Sequence, residues 1–191
     1  MSKATLTTFR IFLSAGLVFL FCTFSAAGFA QNTYKEPTRR FTIDLPEGYK
    51  MAPQKNEYVY QFKGQGPGIM VTFFPAKNET EMFKMALGLM KKPMPDAVLQ
   101  GNVAKMELNG NPALWGIYKG TAQIKKSRAQ AELFATAGSV MLKDGGLMFY
   151  SMYGAKKKPG WEGKLKSAFY SIRNADTPVT GITNIEPVQV K

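Results

Sequence analysis

The chain has 191 residues, 45% hydrophobic and 20% charged, the balance of one globular domain, and it shows no internal repeat, coiled coil or low-complexity tract. It contains no His and a single Cys, Cys22, which removes Ser-His-Asp catalysis and takes the commonest ligand from zinc and copper sites. Lys plus Arg number 25 against 13 Asp plus Glu, a net charge of +12 that makes anionic partners electrostatically accessible without choosing among them.

The first thirty residues read as an address. Lys3 and Arg10 form a positive start, Ile11 to Phe24 is uncharged and apolar, and Ser25-Ala-Ala-Gly-Phe-Ala30 supplies the small residues of a cleavage site. The expectation is a secretory signal peptide over 1–30, cut after Ala30 or, in second place, after Ala27. The apolar core is shorter than the ~20 residues of a membrane span. A lipid anchor is disfavoured because bulky Phe21 precedes Cys22 inside that core. Removing 1–30 takes away two positive charges and leaves +10, with no thiol for Cys catalysis or a Zn–thiolate site. The chain is expected to be exported, to the periplasm or beyond, with membrane contact peripheral at most.

After a polar, flexible lead-in over 31–37, Phe41-Thr-Ile-Asp-Leu45 alternates with period 2 as a half-buried strand, stopped by Pro46-Glu-Gly48. Tyr58–Phe62 and Ile69–Phe74 flank Gly64-Gln-Gly-Pro-Gly68 as a hairpin. Those glycines do not make a dinucleotide loop, because a strand follows where a helix would have to open. Asn78 caps a helix with Glu81 three residues on, Met82, Phe83, Ala86, Leu87, Leu89 and Met90 form its apolar side, and Pro93 closes it. Strands return at Val103–Leu108, Ala113–Tyr118, Gln130–Leu142 and Leu147–Tyr153, with turns at Asn109-Gly-Asn-Pro112 and Lys143-Asp-Gly-Gly146. The last element is a helix ending near Arg173, with Trp161, Leu165, Ala168, Phe169 and Ile172 on one face. The final stretch, 175–191, carries Pro178 and Pro187 and is expected to be mobile. The fold class is therefore α+β: one domain over 38–174 with a mostly antiparallel sheet of about six or seven strands covered by two main helices.

The opening Phe41-Thr-Ile-Asp-Leu-Pro-Glu-Gly-Tyr49 is similar to the start of PsbP-like α-β-α sandwich proteins. The mid-chain helix, the Asn109 and Lys143 turns and the terminal helix ending Phe169-Tyr-Ser-Ile-Arg173 follow the same order. That superfamily includes the extrinsic photosystem II subunit, a Ran-binding import factor and exported bacterial proteins. The resemblance implies a sandwich used for binding or assembly and carries no catalytic signature.

The residues themselves offer little for catalysis, and no cofactor or metal is expected. The carboxylates show no spacing that would set a glycosidase pair in a cleft. Glu79 and Glu81 belong to the first turn of their helix. Ser167 and Lys164, three apart on the terminal helix, lie on its polar face. Met82 with Met85, or Met148 with Met152, offer thioethers for Cu(I), but their apolar setting makes them core residues. Two basic clusters remain as candidate binding residues: Lys125, Lys126 and Arg128 between two strands, and Lys156, Lys157 and Lys158 leading into the terminal helix with Lys164 and Lys166 on its outer face. Tyr118, Tyr150, Tyr153 and Trp161 near them suggest an aromatic and basic surface. Export places it away from nucleic acid, so the expected partner is an unknown protein or an anionic envelope surface. The function expected is a non-enzymatic binding or assembly module. The alternatives are a hydrolase using carboxylates or a Ser/Lys pair, and a carrier of a small apolar ligand.

Overall fold

The strand Gln130–Leu142 decides the architecture, because its two faces are different kinds of surface. Phe134, Val140 and Leu142 point to one side, and the small Ala135, Ala137 and Ser139 to the other, as the period of 2 requires. Large groups build a thick core on the first face, and small ones let a helix approach closely on the second. The computed structural model describes residues 32–38, 40–54, 56–123 and 129–190, with the backbone alone for Lys157 and Lys158.

Within these residues the strands are β1 (Asn32–Lys35), β2 (Thr42–Leu45), β3 (Lys50–Met51), β4 (Val59–Lys63), β5 (Ile69–Phe74), β6 (Val98–Leu99), β7 (Val103–Leu108), β8 (Asn111–Gln123), β9 (Gln130–Leu142), β10 (Gly145–Gly154) and β11 (Ile182–Val188). Helix α1 (Glu79–Lys91) lies between β5 and β6, and α2 (Lys158–Tyr170) between β10 and β11. The main sheet has the order β11-β7-β8-β9-β10-β5-β4-β3, with β6 also on β8, and β1 and β2 form a separate two-stranded ribbon. All of these pairings are antiparallel. The α+β class, the antiparallel sheet and the two helices agree with the sequence reading.

Other expectations need correction. The described residues form eleven strands rather than six or seven. The lead-in is no loose segment: Asn32–Lys35 pairs with Thr42–Leu45. The tail contributes β11, laid antiparallel on β7. The domain therefore extends past both ends of 38–174. The leader expected over 1–30 lies outside the described residues, and no described helix is long and apolar enough to cross a membrane.

The helices pack on opposite faces and cover the sheet only in part. α1 meets β8, β9 and β10, burying Met82, Phe83, Ala86 and Met90 with Ala135, Ala137 and Met148 in one cluster. Its start is as expected: Asn78 Oδ1 accepts from the Glu81 N–H at 2.9 Å, and Glu81 reaches back to the Lys77 N–H at 3.0 Å. α2 meets β2, β9 and β10. It buries Leu165, Ala168 and Phe169 in the larger cluster, joined by Ile172 just past its end, the three large side chains contributing roughly 1.5–3 kcal/mol each. Gly138 makes room for it, since a Cβ there would lie 2.4 Å from the Phe169 ring. Beyond α2 the ribbon takes over: Tyr34 meets Phe62 edge-on at 5.0 Å, and Phe41 meets Tyr60 at 5.1 Å.

Candidate functional site

β9 continues past the end of β10. The two strands part after Gly154 pairs with Leu133, while β8 and β9 stay paired out to Gln123 and Gln130. Gln130, Ala131 and Glu132 thus have no β10 partner. There the chain leaves β10 into a 3-10 turn, Ala155–Lys157, which leads into α2. A groove of about 750 Å³ results, walled by Gly66 and Pro67 of the β4–β5 turn, by Ala131 to Leu133, and by Met152 to Lys156.

The turn that forms one wall is fixed by aromatic packing. Tyr49 donates its hydroxyl to the Pro67 carbonyl at 2.6 Å, and its ring lies 5.9 Å from that of Trp161. Trp161 in turn presses on the backbone of Gly66, where a Cβ would come within 2.2 Å of the indole. The close approach of Trp161 to Gly66, and of Tyr49 to Gly64, accounts for glycine at these two positions. On the opposite wall Glu132 is held by Lys119 at 2.8 Å. Tyr153 is buried, stacked on Phe134 with ring planes 19° apart, and its hydroxyl has no hydrogen-bond partner among the described residues. Burial, with Glu162 nearby, pushes its pKa up to about 12, so it stays neutral.

Of the eight basic residues picked out in the sequence, Lys156 is exposed and lines the groove. Lys164 and Lys166 are exposed on α2 outside the groove lining, with their ammonium groups 4.8 Å from the Trp161 ring centre and 5.4 Å from that of Tyr170. The side chains of Lys157 and Lys158 and the whole of Lys125, Lys126 and Arg128 lie outside the described residues. Of the four aromatics of the expected surface, Tyr118 and Tyr153 are buried, and Tyr150 and Trp161 are half-buried, Trp161 against Gly66. Sequence reasoning missed the apolar wall of Ala131, Leu133, Met152 and Ala155. Its signal is the register of β9 against β10, which no single segment reveals.

The catalytic alternatives can be placed too. Ser167 and Lys164 are both exposed on α2. A second cleft, about 560 Å³, holds Glu79, Glu107 and Glu186. Glu107 accepts from Thr183 and Asn184 at 3.1 and 3.0 Å, and Glu186 pairs with Lys105 at 3.6 Å. These two carboxylates are tied to the β7–β11 pairing. No group of three or more His, Cys, Asp or Glu side chains that could hold a metal ion occurs among the described residues. Of the methionine pairs, Met82 is fully buried while Met85 is 45% exposed, so the first does not converge on a shared ion.

No family model and no curated protein sequence matches the chain. Among solved structures it is similar to cyanobacterial PsbP (CyanoP) from Synechocystis sp., determined in solution, with 8% identity over 78% of this chain and 94% of that one, at a TM-score of 0.46. At that level neither a residue role nor a function passes from that protein to this one.

Proposed function

We propose that the chain is an exported, non-enzymatic binding module that meets an anionic envelope surface through lysines around the start of α2. One observation carries this reading: Lys156, Lys164 and Lys166 are exposed, and among the described residues none is paired with a carboxylate. An ammonium group resting over an aromatic ring keeps its charge and its reach into solvent. Beyond the leader the chain carries +10, which draws it to negative surfaces at long range and makes the association salt-dependent.

The test is sedimentation with phosphatidylglycerol vesicles, with phosphatidylcholine vesicles as the neutral control. Binding to the anionic vesicles should be present at low salt and fall at high salt. At about 1 kcal/mol per lysine near such a surface, Lys156→Glu, Lys164→Glu and Lys166→Glu together should weaken it roughly a hundredfold with the fold unchanged. Association that ignores both salt and the triple substitution would sink the proposal.

A further inference from the structure

We infer that the groove at the end of the sheet binds a single-chain anionic amphiphile, its alkyl chain along Pro67, Leu133 and Met152 and its head group at Lys156. This deepens the binding-module reading above and rests on it.

Two features of the groove select the ligand together. Its walls are mainly apolar, with Ala131, Leu133 and Met152 on one face of the sheet and Pro67 and Ala155 closing the sides. Its charged lining consists of Glu132 and Lys156 among the described residues, and Glu132 is already neutralised by Lys119 at 2.8 Å. One uncompensated cation therefore stands at the rim of an apolar trough. A small hydrophilic anion would leave Leu133 and Met152 wet, and a neutral hydrocarbon would leave the ammonium group without a partner. An acyl or alkyl chain with one anionic head satisfies both. About 750 Å³ falls within the range of pockets that enclose small organic ligands. The walls are also preformed: Tyr49 and Trp161 hold the Gly66–Pro67 side, and the β9–β10 ladder holds the other. Little ordering is left to oppose binding.

The experiment titrates the purified protein with dodecyl phosphate below its aggregation concentration and follows the Met152 methyl resonance. Inorganic phosphate and dodecyl maltoside run in parallel, separating head from chain. Dodecyl phosphate should shift the Met152 signal saturably, inorganic phosphate should leave it in place, and dodecyl maltoside should bind at least about fivefold more weakly. Lys156→Glu, an exposed site whose replacement leaves folding intact, should weaken dodecyl phosphate about fivefold or more, and Leu133→Glu should abolish binding. No shift at Met152, equal affinity for the neutral amphiphile, or indifference to Lys156→Glu each overturns the inference. Lys164→Glu with Lys166→Glu must leave amphiphile binding unchanged. If vesicle association fails while dodecyl phosphate still binds, the surface reading alone is lost.

Discussion

Asn109 ties three distant parts of the chain together through one carboxamide. It sits with Gly110 in the two-residue turn between β7 and β8, both residues at positive φ (50° and 76°), the conformation that Asn and Gly tolerate best. Its Nδ2 donates to the carbonyls of Tyr170 and Ile172 at 3.1 and 2.9 Å, and its Oδ1 accepts from the N–H groups of Thr180 and Gly181, each at 2.9 Å. The turn thus holds both the exit of α2 and the approach to β11. At roughly 1 kcal/mol per hydrogen bond, with strain added at positive φ, Asn109→Ala should cost about 2–4 kcal/mol, read as a lower urea midpoint at unchanged slope. A change under about 1 kcal/mol would show that the carboxamide is replaceable by water. The Asn-Gly pair was legible as a turn because turn chemistry is local. The reach of its side chain to residues 61 to 72 positions away was not, since that depends on tertiary register. Lys156 is the converse case: a run of lysines is visible anywhere, but the apolar trough beside it appears only when β9 and β10 are in register.

The elements visible in the sequence are those that bury a face. α2 and the residues just after it showed most of their inward side chains, and Leu165, Ala168, Phe169 and Ile172 are all within 1% of full burial, while Tyr170, which also packs on the core, was not picked out. The missed strands β1, β3, β6 and β11 are short, marginal or polar. Asn32-Thr-Tyr-Lys35 and Lys50-Met51 carry few apolar groups, and β11 holds Pro187, is exposed along most of its length and is interrupted between Thr183 and Glu186. Edge strands with bulges and prolines resist pairing with other chains, and the same features erase the alternation that betrays a strand. β11 covers the edge of β7, whose buried residues are Val103, Met106 and Leu108. Ending the chain after Asp176 should therefore lower stability by about 1–3 kcal/mol and uncover that edge. Light scattering should then show concentration-dependent association that the full chain lacks. A shortened chain as stable and as dispersed as the full one would mean that β11 is ornamental.

At the scale of the whole molecule, one contribution to the acid response lies at the N-terminal ribbon. Glu36 is only 3% exposed. Burial alone would raise its pKa, but hydrogen bonds from Arg40, Thr38 and Tyr60 outweigh it and hold the carboxyl at about 2, against an ordinary value of 4.5. A pKa lower in the folded state adds stability that is present above the ordinary value and disappears as pH falls through the folded one. Stability should therefore decline between pH 4.5 and about 2, by an amount on the order of 3 kcal/mol from this group. With no His, the chain lacks the side chain that ordinarily titrates between about pH 5 and 8. Urea midpoints across the acid range check this: Glu36→Gln should lower the plateau and flatten the decline. An unaltered acid profile in that variant would assign the decline to other groups. The α+β plan was legible at this scale from the order of periodic segments. The sharing of one core between ribbon and α2 was not, because it depends on contacts between residues more than 100 positions apart.

The antiparallel bridge between Thr42 and Arg173 sets a clock on the molecule. Thr42 and Arg173 exchange backbone hydrogen bonds at 3.0 and 3.2 Å, and Arg173 reaches Asp44 at 3.3 Å across 129 residues of sequence. At roughly 5–20 residues per second of synthesis, the partner that closes β2 emerges about 6–26 s after β2 itself. Until then β2 has β1 and the rings of Tyr60 and Phe62 to pack on but lacks this partner, and closure over so long a loop is among the slower events of folding. The chain is made beginning first and secured beginning last.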